Sequence, residues 1–103
     1  MAIQAPIQTQ FGVPATYWHI RHLVNDFQSN GVIVFLAGYA SAEARRDGKE
    51  PLTVLQEIRL PGLKASDEPR RGEIYAALIA YAATLSDDHP QAVLIPLANG
   101  EAV

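Results

Sequence analysis

The chain has no cysteine. That excludes a disulfide framework and any thiolate zinc site. Charge is scarce, with eleven acids against eight bases and a net charge of −3. So mild an acidic balance gives no support to binding nucleic acid by phosphate neutralisation. Long apolar runs are missing too. The longest, Val32 to Ala40, is too short to span a bilayer. Met1 to Gln10 has neither a basic start nor a continuous apolar core, so no signal peptide is read there. There is no glycine-rich phosphate loop. None of Ser29, Ser41, Ser66 and Ser86 sits in a nucleophile elbow. What is present is apolar residue, close to half of the 103, which argues for one folded domain with a modest core.

The most structured stretch runs from Thr16 to Pro51. Thr16 to Asp26 mixes β-branched, aromatic and polar residues without Gly or Pro, and Val32 to Tyr39 is almost wholly apolar. Between them, Asn30-Gly31 is a strong turn signal, because both residues tolerate positive φ. The expectation is a β-hairpin with a loop from Gln28 to Gly31, Val24 opposite Phe35 and Ile20 opposite Tyr39. One face then carries Trp18, Ile20, His22 and Val24 with Ile33, Phe35, Ala37 and Tyr39. The other carries Leu23, Val32, Val34 and Leu36. Apolar residues on both faces call for cover on both, from this chain or from another.

The remaining segments fall around that hairpin. Residues 1–14 read as an extended arm, with room for a short edge strand at Ile7 to Phe11. Ser41 is a suitable N-cap for a short helical turn over Ala42 to Arg46, with Gly48 as a left-handed stop. Leu52 to Leu60 alternates as a half-buried strand, with Leu52, Val54, Ile58 and Leu60 on one face. Residues 61–72 form a polar loop without periodicity. Over 73–86, Ile74, Leu78, Tyr81, Ala82 and Leu85 recur at helical spacing, and the other side is largely alanine. Residues 87–103 are an apolar tail in which Gln91 to Leu97 has room for an edge strand. The order predicts an α+β domain, a small antiparallel β-meander or partly open barrel. One C-terminal helix packs on it, and a short helical turn separates strands 2 and 3.

Few residues invite chemistry. His19 and His22, three apart on a strand, point to opposite faces and cannot share a metal. Asp87, Asp88 and His89 close a helix before a proline and read as solvated. Tyr17, Trp18, Phe35 and Tyr39 suggest a base-stacking platform, but Tyr17 lies on the other face and only Arg21 supplies charge, so core aromatics are the better reading. Arg45-Arg46 and Arg70-Arg71 are balanced by neighbouring acids. Catalysis, cofactor and metal are therefore not expected, and nucleic acid is not an expected partner.

The pattern Phe11-Gly12-Val13, Ala15-Thr16-Tyr17-Trp18 and Gly38-Tyr39-Ala40-Ser41, continued by Glu43-Ala44-Arg45, Gly48 and Pro51-Leu52, resembles small proteins of tailed bacteriophages and prophages. Their genes commonly lie among virion structural and tail-assembly genes. A helix with a Tyr-Ala stretch, here Ile74 to Leu85, is similar as well. The resemblance covers Phe11 to Leu85. It implies a non-enzymatic structural or assembly role through protein–protein contacts in the tail or head–tail region. Its implied partners are other phage virion or assembly proteins, with a homo-oligomer as a further option. Its implied location is the bacterial host cytoplasm, and the virion when the phage is productive. No membrane association is expected. Leu23, Val32, Val34, Leu36, Tyr17 and Arg21 are the candidate interaction residues. The alternative is a small β-sheet module that binds a peptide or nucleic acid through Tyr17, His19 and Arg21.

Overall fold

A computed structural model describes residues 2–103. Among them the chain forms strands β1 (Ile3–Gln8), β2 (Pro14–Asp26), β3 (Gly31–Tyr39), β4 (Thr53–Leu60) and β5 (Glu101–Ala102). Two α-helices, α1 (Ala42–Arg46) and α2 (Arg71–Ala82), and two 3₁₀ segments (Ala65–Asp67 and Ala92–Asn99) complete it. The strands make one open sheet in the order β4-β3-β2-β1-β5, with every neighbouring pair antiparallel. It is an α+β fold, and the sheet does not close into a barrel.

One face of the sheet is the core face. Ile3, Trp18, Leu36, Val34, Val32, Ile58 and Leu60 are buried there, against Ile74, Tyr75 and Leu78 of α2 and Leu94 and Leu97 of the second 3₁₀ segment. Two layers around one apolar seam is the ordinary solution for a single sheet. Trp18 fixes the tightest approach. It pairs with Gly38, and a Cβ built on Gly38 would lie 2.5 Å from the indole ring. The indole N–H donates to the Ala5 carbonyl at 3.0 Å.

Several expectations need correction. The first 14 residues are not an arm: β1 starts at Ile3 and lies inside the sheet, with Ile3, Ala5 and Ile7 buried and Gln4, Pro6 and Gln8 exposed. That is a clean period-two pattern. Pro6 is accommodated where the pairing of β1 with β2 slips by one residue.

The hairpin register also differs. Val24 faces Ile33 and Ile20 faces Leu36, with an extra residue in β2 at Arg21. The loop is Phe27 to Asn30, because Asp26 folds back on it. The Asp26 carboxylate accepts from the N–H of Gln28 and Ser29 and from the Ser29 hydroxyl. Asn30 takes the left-handed conformation at φ 55°, and Gly31 is the first strand residue.

The choice of covered face is reversed as a result. Val32, Val34 and Leu36, expected to need a partner, are at most 1% exposed and form the core. The face with Ile33, Phe35 and Tyr39 is the half-exposed one. A second irregularity, between Val34 and Leu36 of β3, turns β4 over. Ile58 and Leu60 face the core, but Leu55 replaces Val54 on that side. Glu57, at φ 52°, sits in this bulge.

Finally, Gln91 to Leu97 is not an edge strand. Ala92–Asn99 is 3₁₀ helix with Pro96 inside it, packed on β1 and α2 through Leu94 and Leu97. The chain then adds β5 to the outer side of β1. Helix α1 stands where the sequence places it, with the Ser41 hydroxyl accepting from the Ala44 N–H at 3.1 Å. Helix α2 starts at Arg71 rather than Glu73 and ends four residues earlier than expected, at Ala82.

Candidate functional site

Both helical elements of the core lie on one side of the sheet, so the other side is the outer face. Cross-strand partners share a face. The outer face therefore carries Tyr17 with Tyr39, His19 with Ala37 and Val54, His22 with Phe35, and Val24 with Ile33 and Arg59. Ala37 is buried, most of the others are half-buried, and Val24 is 42% exposed. The His22 and Phe35 rings meet edge to face, with centroids 5.9 Å apart. Among the described residues, α1 and the loop after it lean over this face at the Tyr39 end.

The second feature is an edge. Pairing between β1 and β2 stops at Trp18. From Ile20 to Asp26, β2 has β3 on one side and, among the described residues, no strand on the other. The free N–H of Ile20 is satisfied by the Tyr75 hydroxyl of α2 at 2.9 Å. Burial pushes the Tyr75 phenol up from its ordinary pKa, so it stays neutral in that contact. Beyond Ile20 this cover ends, and Arg21, His22, Leu23 and Val24 are all exposed. Leu23 lies on the core side, opposite Val34, yet outside the reach of α2, and is 39% exposed. Phe27 at the hairpin tip is 67% exposed.

A shallow cleft of about 430 Å³ lies on the outer face where α1 meets the sheet. Arg21, His19, Tyr39, Arg45, Lys49 and Glu50 line it. The Arg45 guanidinium donates to His19 Nε2 at 3.1 Å, so the neutral imidazole carries its proton on Nδ1. Burial, and then the charges of Arg45 and Arg71, hold the His19 pKa below its ordinary value. The Arg21 bulge turns His22 onto the same outer face as His19, against the expectation of opposite faces, but His22 lies outside this cleft. Among the described residues, no group of three or more His, Cys, Asp or Glu is placed to hold a metal ion, and no helix is long and apolar enough to cross a membrane.

Of the sequence-derived candidates, the structure brings Tyr17 and Arg21 to the outer face and Leu23 to the free edge. Val32, Val34 and Leu36 are removed from any surface role by their burial. Of the aromatics expected in the core only Trp18 is there; Phe35 and Tyr39, together with Tyr17, which was expected on the opposite face, share the half-exposed outer face with Val24 and Ile33. One signal for this was available. Trp18, the largest side chain, needs a glycine opposite, and pairing it with Gly38 sets the even-numbered residues of β3 inward.

No protein-family model matches the chain, and no curated protein or solved structure is significantly similar to it.

Proposed function

We propose that the chain is a phage- or prophage-encoded structural or assembly subunit. It is non-enzymatic and works through protein–protein contacts in the tail or head–tail region. One observation carries this reading: the core packs on one side of the sheet, and its outer side presents Val24, Ile33 and Phe35 beside an edge of β2 that has no strand partner among the described residues. A half-exposed apolar stripe with a free strand edge is a surface for another polypeptide. The phage setting comes from the resemblance of residues 11–85.

The test uses a host producing the particles that encode the chain. Wild-type protein is expected to co-sediment with particles or their assembly intermediates. Phe35→Asp is expected to stay folded and to leave that fraction. Wild-type protein found only as free protein contradicts the reading.

The cleft supports a second reading, a binding module for an anionic group on a peptide or nucleic acid. Arg21, Arg45 and Lys49 converge there beside a histidine held neutral. It predicts a salt-sensitive affinity for short acidic peptides or oligonucleotides that Arg45→Gln weakens. No binding at low salt removes it.

A further inference from the structure

We infer that the free edge of β2 pairs with the same edge of a second copy, joining two sheets across a twofold axis centred on Val24. This deepens the assembly reading above and rests on it. The argument starts from the sheet's edges. The outer edge, β4, is blunted: it carries the Glu57 bulge, with Glu57 and Arg59 along it, and Pro51 and Pro61 stand at either side. Bulges, charges and prolines are the usual protection against stray pairing. The opposite edge ends in β5, two residues long. The Ile20–Asp26 edge carries no proline; its one bulge, at Arg21, stands at one end and the charge of Asp26 at the other. Past that bulge, His22 to Asp26 offer five residues, about 17 Å, for a partner strand.

The occupant follows from the edge's own sequence. In an antiparallel pair about a twofold normal to the sheet, one residue must face its own mate. Centring on Leu23 sets Ile20 against Asp26. Centring on His22 sets two imidazoles together and Arg21 against Leu23. Centring on Val24 sets His22 against the Asp26 carboxylate twice over. It puts Val24 against Val24 on the outer face and brings the exposed Phe27 ring to the level of Arg21. Of the three registers, this one alone sets an imidazole against a carboxylate and like apolar side chains together on the outer face, while Leu23 meets Asn25 on the core side. Ser29 holds the Asp26 carboxyl below the usual carboxylate range, so the acid is ionised when a partner's imidazole arrives. The joined sheet would also make the two outer stripes of Val24, Ile33 and Phe35 continuous.

The chain has no native cysteine, so single cysteines report the register directly. Solution mass by light scattering is expected to rise from one chain of 11.2 kDa toward two with concentration. Val24→Cys is expected to form a disulfide-linked dimer under mild oxidation at least roughly tenfold faster than Leu23→Cys, because only Val24 meets its own mate within disulfide reach. His22→Asp, which sets carboxylate against carboxylate, is expected to return the mass to one chain, and His22→Lys to keep two. A chain that stays monomeric at high concentration overturns the proposal, as does equal cross-linking at positions 23 and 24. Failure here is separable from failure of the assembly reading. A wild-type chain that stays monomeric yet co-sediments with particles leaves that reading standing and overturns the self-pairing of this edge.

Discussion

Single residues decide how tightly this small sheet closes and which groups stay neutral. Trp18 is fully buried and lies flat on the backbone of Gly38. A methyl group there meets the ring at 2.5 Å, and the ring is held by its bond to Ala5. Gly38→Ala is therefore expected to lose about 1–3 kcal/mol of stability, read from urea unfolding. His19 gives a pH dependence. Its folded pKa is below the ordinary 6.5, so the unfolded chain binds the proton first. The contribution is present above the unfolded pKa and is lost as pH falls through the folded value. The urea midpoint should therefore fall between about pH 7 and about pH 5. Arg45→Gln should raise the His19 pKa in an NMR titration and shrink that loss, although burial, the larger cause, remains.

At the scale of elements, the legible and illegible parts separate by cause. The α1 turn was readable because capping is local: Ser41, the acid Glu43 and the bases Arg45 and Arg46 stand where the helix needs them. The α2 stripe was readable because Ile74 and Leu78 repeat at helical spacing. The hairpin's existence was readable from Asn30, but its register was not. Asn-Gly suggested a tight turn ending at Gly31, whereas the Asp26 side chain closes the loop one residue earlier on each strand. Asp26→Ala, which removes the acceptor for Gln28 and Ser29, is expected to lower the urea midpoint slightly. It should also speed hydrogen exchange at those two amides while leaving α2 protected. The bulges at Arg21 and Glu57 were hidden from any alternation count. Each shifts one strand by a residue, and each such shift turns the following side chains to the other face. The strand at Ile3–Gln8 was legible in Ile3, Ala5 and Ile7 but was masked by Pro6, which reads as a break and stands at a slip in the pairing.

At the scale of the molecule, the face was the point most easily lost. Both faces of β3 are apolar, so β3 cannot say which is covered. What decides is long-range: the Trp18–Gly38 contact, the Leu94 and Leu97 segment that returns under β1, and the β5 strand that closes that end of the sheet. The candidate interaction surface moved with the face, from Val34 to Val24; Tyr17 and Arg21 lie on it, and Leu23 stays on the core side at the free edge. The sheet is covered on one side, and among the described residues half of its long strand β2 has a strand neighbour on one side only.

The most direct test is the unfolding free energy of Val24→Asp beside that of Val34→Asp, at the lowest workable concentration. The two positions share a residue type and receive the same charge. They differ in face and burial, with Val24 42% exposed and Val34 0%. The account predicts a loss of at most about 1 kcal/mol for Val24→Asp, as for an exposed site, and more than about 4 kcal/mol for Val34→Asp, where an unpaired charge would be buried. Equal losses, or the larger loss at Val24, would mean that the outer face is packed and would contradict the account.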